Sequence, residues 1–157
     1  MGMGNRELNC EVRKVYFIFS HYLNRKGVLL ANKSSIKTFM DLDVWKISHE
    51  LVVKIYKLTR DFPKDETYGI ISQLKSAASS IPANIAEGNG KQYLKEYIQF
   101  LYISKSSLNV TRYFLLLSKD LGYIRNNKYE EVIEQLNRIE KMLMGLINSL
   151  KRKINEK

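Results

Sequence analysis

The stretch Ser80-Ile81-Pro82-Ala83-Asn84-Ile85-Ala86-Glu87-Gly88 decides the fold, because it keeps a helical pattern through a proline. A proline inside a helix lacks an N–H and crowds the preceding turn, which costs about 3 kcal/mol. Apolar residues nevertheless recur at spacings of three and four, at Ile71, Leu74, Ala78, Ile81 and Ile85. This spacing predicts one kinked, buried helix, in which Ser79, Ser80 or Asn84 helps to satisfy the backbone that the proline exposes.

Three further helices are predicted around this one. Apolar residues at helical spacing indicate helices over 44–61, 66–87, 92–121 and 128–151. Pro63 ends the first, Gly88-Asn89-Gly90 the second and Gly122 the third. In the fourth, apolar residues alternate at spacings of three and four from Tyr129 to Leu150, which is typical of helical bundles. The sequence therefore predicts an all-α fold, an antiparallel up-down four-helix bundle over residues 39–157.

The third predicted helix has two apolar stripes. One stripe contains Leu94, Leu101, Leu108 and Leu115, and the other contains Ile103, Val110, Phe114, Leu117 and Leu121. Residues two positions apart differ by about 200° around a helix, so the stripes lie on nearly opposite sides. A helix of a monomeric bundle needs one apolar face only. We expect the second stripe to be the contact of a homo-oligomer; the alternative is that residues 1–38 fold over it.

The chain is basic, with 26 Lys and Arg against 16 Asp and Glu and a net charge of +10. Such an excess favours anionic partners, and phosphate contacts require no reading of sequence. Nine cations are candidate nucleic-acid contacts. Lys105, Arg112 and Lys119 form a row at seven-residue spacing, which we call the basic row. The row is extended by Lys75, Lys91 and Lys95, and the C-terminal cluster contains Lys151, Arg152 and Lys153. The alternative interpretation of these rows is a solvated surface with intrahelical ion pairs.

Signatures of catalysis are missing from the sequence. It has no phosphate-binding loop, no nucleophile elbow and no H-E-x-x-H helix, and its two histidines, His21 and His49, are far apart. We expect no enzymatic activity, cofactor, metal or small-molecule substrate. Cys10 is the single cysteine, which fits a reducing cytoplasm. No apolar run approaches the ~20 residues that span a bilayer, so we expect a cytoplasmic protein without a membrane partner.

Residues 1–38 differ from the rest of the chain by their charge. They contain seven Lys and Arg against two acidic residues, so that half of the net charge lies in this segment. The segment is either a basic arm that becomes ordered on RNA or upstream sequence translated ahead of a natural start at Met40. We favour the second interpretation and treat 1–38 as an N-terminal extension.

Several segments agree in order and spacing with one family. They are Phe39-Met40-Asp41-Leu42-Asp43-Val44-Trp45-Lys46, Tyr56-Lys57-Leu58-Thr59, Phe62-Pro63-Lys64, the proline helix, Phe100-Leu101-Tyr102-Ile103-Ser104, and Leu115 to Ile124. Over about residues 39–151 the chain resembles the four-helix-bundle proteins encoded in intervening sequences of bacterial 23S ribosomal RNA genes. The resemblance implies an up-down bundle that assembles into a ring, a pentamer, and it implies no reaction.

The partner classes follow from this resemblance. The location of the family's genes favours RNA over DNA, which is an argument by association. The chain is also similar to the accessory proteins of diversity-generating retroelements. That relationship implies binding to a reverse transcriptase and its RNA. The alternative function is a structural or protein-interaction scaffold whose ring binds an acidic protein.

Overall fold

The structure, a computed structural model, describes residues 38–156. These residues form four α-helices and no strand: α1 (Asp43–Leu58), α2 (Ile70–Asn89), α3 (Leu94–Asp120) and α4 (Asn126–Asn155). Short 3₁₀ turns at Phe39–Asp41, Thr59–Asp61 and Lys64–Glu66 flank α1 and precede α2. The predicted all-α fold with four helices is confirmed over this part of the chain. The predictions on the 1–38 extension, Cys10 and His21 lie outside the described residues, apart from Thr38.

Helix α2 continues through Pro82, as predicted. Asn84 Nδ2 donates to the Ser80 carbonyl oxygen at 2.7 Å, and Ser79 Oγ donates to the Lys75 carbonyl oxygen at 2.8 Å. Because proline has no N–H, the Ala78 carbonyl oxygen lacks its helical donor. The two polar side chains bond to carbonyl oxygens on either side of Ala78 along the helix. The polar residues around the proline thus reinforce its neighbouring turns.

The two ends of α2 differ from the prediction. The helix begins at Ile70 instead of 66, where the Glu66 carboxylate accepts a hydrogen bond from the Ile70 N–H at 3.1 Å. It ends at Asn89, so Gly88 lies inside the helix. A Cβ atom at position 88 would lie 2.6 Å from Tyr97 Cδ2. Gly88 therefore permits a close approach of α3 and is not the residue that ends α2.

All four helices contribute to one hydrophobic core. Contacts run α1 to α2, α2 to α3, α3 to α4 and α4 to α1, and the α2–α3 contact is the most extensive. Helices α1 and α3 therefore lie at opposite corners of the bundle. Along α3, the buried leucines 101, 108 and 115 alternate with small buried hydroxyl residues, Ser104, Thr111 and Ser118. The Ser104 hydroxyl donates to the Ile81 carbonyl oxygen of α2 at 2.9 Å, so this polar group is satisfied inside the core.

Candidate functional site

The basic row on α3 faces α4. Arg112 Nη2 lies 3.1 Å from Glu140 Oε2, and Lys105 Nζ lies 3.7 Å from Glu140 Oε1. Arg112 also donates to Asn137 Oδ1 at 3.0 Å. One carboxylate thus compensates two of the three cations of this row, and the remaining exposure of both side chains is about one third. The structure brings Lys105 and Arg112 together, but around an acidic residue of their own chain.

Two further candidate lysines lie over aromatic rings. Lys119 Nζ is 4.5 Å from the centre of the Tyr129 ring, and Lys75 Nζ is 4.9 Å from that of Tyr56. Contacts of this kind contribute about 0.5–1 kcal/mol at exposed sites. Tyr56 belongs to α1, so Lys75 faces α1 and does not extend the row on α3. The structure therefore separates Lys75 from the row with which the sequence grouped it.

The other candidate cations lie near the start of α3 or in the last turns of α4. Lys91 Nζ is 3.3 Å from Glu87 Oε1 and 4.5 Å from the Phe100 ring centre. Lys151 Nζ donates to the Tyr102 hydroxyl at 2.9 Å, which joins the last turns of α4 to the N-terminal third of α3. Of the nine candidate cations, three are exposed and their side chains form no ion pair, hydrogen bond or ring contact within 38–156, and we call them the basic end: Lys95, Arg152 and Lys153.

The five predicted interface residues divide into two groups. Ile103, Val110 and Leu121 are 43%, 45% and 48% exposed, whereas Phe114 and Leu117 are partly buried and pack against the core. The sequence pattern did not include Tyr113, which is 59% exposed and lies edge-on to the Phe114 ring at 5.1 Å between centres. We call Ile103, Val110, Tyr113 and Leu121 the outer face of α3. Within the described residues it is a solvent-exposed apolar surface of α3.

A groove that the sequence did not predict lies between α1 and α4. It has a volume of about 880 Å³ and extends from the C-terminal half of α1 to the first turn of α4. Its apolar walls are Val53, Leu58, Ile124 and Val132, and its charged rim is Glu50, Lys54, Lys57, Asp61, Arg125, Lys128 and Glu131. We call it the α1–α4 groove. Local periodicity could not reveal it, because it arises where two helices that are far apart in sequence make a limited contact.

Glu131 organises part of the rim of this groove. Its carboxylate lies 3.0 Å from Lys54 Nζ and 3.1 Å from Lys128 Nζ. The hydrogen bond from Lys54 and then that from Lys128 lower the pKa of the Glu131 carboxyl, since both favour its charged form. Lys57 and Arg125 have no ion-pair partner in the part of the chain that the structure describes.

The single histidine of the described residues lies on α1. His49 is exposed and stacks on Trp45 with ring centres 5.3 Å apart. Between residues 38 and 156, no cluster of three or more His, Cys, Asp or Glu side chains is arranged to hold a metal ion. None of the helices in this range is long and apolar enough to cross a membrane.

Comparisons with known proteins agree on one family. A sequence model described as 23S rRNA-intervening sequence protein matches residues 40–145. A crystal structure of a protein with unknown function, from the S23 ribosomal protein family of Bacteroides thetaiotaomicron VPI-5482, is 28% identical with a TM-score of 0.63. The similarity covers 67% of this chain and 95% of that one. A search of curated proteins gives no match.

Proposed function

The chain belongs to the 23S rRNA-intervening sequence protein family, and we propose that it is a non-enzymatic, ring-forming homo-oligomer that binds nucleic acid through phosphate contacts. RNA is the preferred ligand and a pentamer the preferred ring. The observation that carries the proposal is the basic end: three candidate cations, in the first turn of α3 and the last turns of α4, that are exposed and have no acidic partner among the described residues.

We propose an antiparallel up-down arrangement of the helices, which brings these cations to one end of the bundle. Arg112 of α3 meets Glu140 of α4, while Tyr102 meets Lys151, so residue numbers rise along α4 as they fall along α3. The first turn of α3 and the last turns of α4 then share one end of the bundle. We place Lys95, Arg152 and Lys153 at this end, where a phosphate backbone can contact them together.

Self-association is supported by the outer face of α3. Monomeric proteins seldom expose contiguous apolar patches without a functional reason. Val110 and Tyr113 lie one helical turn apart, with Ile103 and Leu121 at the two ends of the same side. A closed ring repeats the basic end around its axis, so three cations in each subunit become a continuous positive field.

The structure changes which candidate cations we propose to bind phosphate. Lys105 and Arg112 share the carboxylate of Glu140, and Lys119 lies over Tyr129. An anion that approached this row would have to compete with contacts that are already made. The basic end requires no such exchange, so we assign it the main contribution to affinity.

A charge-reversal experiment tests this assignment. The variant Lys95→Glu/Arg152→Glu/Lys153→Glu reverses the basic end, and the control Arg60→Glu/Lys64→Glu/Lys141→Glu makes the same charge change at exposed positions elsewhere. Anisotropy with a labelled structured RNA is expected to show at least tenfold weaker binding for the first variant and a much smaller loss for the control. Equal losses for the two variants would refute the location of the site.

A second candidate function is a scaffold that binds an acidic protein partner, in the manner of a reverse-transcriptase accessory protein. Tyr93, which is 62% exposed, precedes α3 close to Lys95. An exposed aromatic side chain beside unpaired cations is typical of protein interfaces as well as of nucleic-acid contacts. Absence of RNA and DNA binding at low salt, together with an intact oligomer, would favour this function over the first.

A further inference from the structure

The outer face of α3 cannot close a ring alone. Cyclic symmetry with more than two subunits requires a heterologous interface, in which two different surfaces of each subunit meet. We infer that the α1–α4 groove is the second surface, and that it receives the outer face of α3 from a neighbouring copy of the chain. This inference rests on the proposed ring. It assigns the second surface of the interface between subunits, which the sequence did not predict.

The two surfaces lie on opposite sides of the bundle. Helices α1 and α3 occupy opposite corners, since each contacts α2 and α4. On α1, the side chains of Ser48, Leu51 and Ile55 are buried, whereas Val53 is 41% exposed and lines the groove. Val110 is 45% exposed on α3. Two apolar surfaces pointing in opposite directions suit head-to-tail assembly, and they do not suit a symmetric dimer through one of them.

The size of the groove suits the side chains of a helix. Its volume of about 880 Å³ lies within the roughly 300–1,000 Å³ range of pockets that enclose whole ligands. Val53 on α1 is 41% exposed and gives the groove most of its accessible apolar surface, beside the partly buried Leu58. The apolar surface of this groove can therefore cover the ridge that Ile103, Val110 and Tyr113 form on a neighbouring copy.

The charges of the two surfaces are compatible. Lys57 and Arg125 on the groove rim lack an ion-pair partner among the described residues. The positions that follow the outer side of α3 at helical spacing are Gln99, Ile103, Ser106, Val110, Tyr113, Leu117 and Asp120. None of them is basic, and Asp120 supplies the one charge. The rim cations thus meet no like charge, and Asp120 provides a carboxylate for Lys57 or Arg125 of the neighbour.

A mixing experiment tests the inference. The variants Val53→Glu and Val110→Glu each place a charge on one surface, at positions exposed enough to leave the fold of the subunit intact. Masses are measured by sedimentation velocity for the wild type, each variant alone and their equimolar mixture. Gln73→Glu, an exposed change on α2, is the control for an added charge. Circular dichroism checks that every variant is folded.

We expect a closed oligomer for the wild type and the control, and monomers for each variant alone. The mixture is expected to contain a species of two chains, because one pair of intact surfaces remains between the two variants. An oligomeric Val53→Glu variant, or a mixture that stays monomeric, would overturn the inference and leave the ring in place. A monomeric wild type would overturn the ring itself and the inference with it.

Discussion

Gly88 of α2 and Tyr97 of α3 lie so close that a Cβ atom at position 88 would stand 2.6 Å from Tyr97 Cδ2. The Phe100 Cβ atom lies 2.9 Å from the same point. This contact explains a glycine inside a helix, where it is unfavourable by about 1 kcal/mol relative to alanine. The absence of a side chain at Gly88 thus lets Tyr97 and Phe100 of α3 pack against the backbone of α2.

Gly88→Ala is expected to destabilise the protein. Overpacking of a tight contact costs about 1–3 kcal/mol, and the helix propensity of alanine offsets about 1 kcal/mol of that cost. Urea unfolding at fixed protein concentration should therefore show a net loss of up to about 2 kcal/mol. Gly145→Ala on α4 is the matched control, because no atom lies within 4 Å of its added Cβ. The control should be neutral or more stable than the wild type; equal losses would contradict the close approach at Gly88.

Ser104→Ala tests the polar contact between α2 and α3. The variant loses the buried hydrogen bond to the Ile81 carbonyl oxygen, which is expected to cost about 1 kcal/mol in the free energy of unfolding. Ser106→Ala removes an exposed hydroxyl that bonds to Tyr102 in its own helix, and it should change stability by less than about 0.5 kcal/mol. The same urea titrations measure both variants, and a Ser104→Ala protein as stable as Ser106→Ala would argue against this contact.

The lowered pKa of Glu131 predicts how the stability of the fold depends on pH. Its pKa is lowered in the folded chain by Lys54 and Lys128, so its interactions stabilise the fold above the unfolded-state pKa and are lost as pH falls through the folded-state pKa. Glu131→Gln should therefore be less stable than the wild type at neutral pH, with a difference that shrinks toward about pH 3, below the ordinary glutamate pKa of about 4.3. Thermal melts at the two pH values compare the proteins, and a constant difference would contradict the ion pairs.

Glu140→Gln tests whether RNA affinity depends mainly on the basic row of α3 or on the basic end. The variant removes the carboxylate that Lys105 and Arg112 share. Partly exposed pairs of this kind contribute about 0–1 kcal/mol, so stability should fall by less than about 1 kcal/mol. RNA affinity measured by anisotropy should rise less than tenfold, since the freed cations add to the field without forming the main site. A gain in RNA affinity of tenfold or more would indicate that Lys105 and Arg112 form the main phosphate-binding site.

Local pattern explains why the four helices and the continuous helix through Pro82 were predictable. Helical periodicity is a property of neighbouring residues, and it survives the proline because Ala78, Ile81 and Ile85 are buried on one side. The contact at Gly88 was not predictable in this way, because its cause is a tyrosine on another helix. The sequence placed the end of the helix at Gly88-Asn89-Gly90, because glycine near a helix end commonly terminates it; Gly90 is the C-cap, whereas Gly88 lies inside the helix.

The candidate site depended more on tertiary contacts. Seven-residue spacing predicted that Lys105, Arg112 and Lys119 share a side of α3, yet Glu140, which neutralises Arg112, is 28 residues away in sequence. Spacing within a helix gives the direction of a side chain but not the residue that faces it. For the same reason the apolar stripe of α3 was visible in the sequence, whereas the α1–α4 groove was not.

The salt dependence of RNA affinity tests the central proposal most directly. Anisotropy of the wild-type chain with a labelled structured RNA, from low to physiological salt, is expected to give a linear fall of log affinity with log salt. Three phosphate contacts from one subunit alone predict a slope of about −2 or steeper, since each contact contributes about −0.7 on single strands. A slope near zero, or no binding at the lowest salt concentration, would contradict phosphate recognition by this protein.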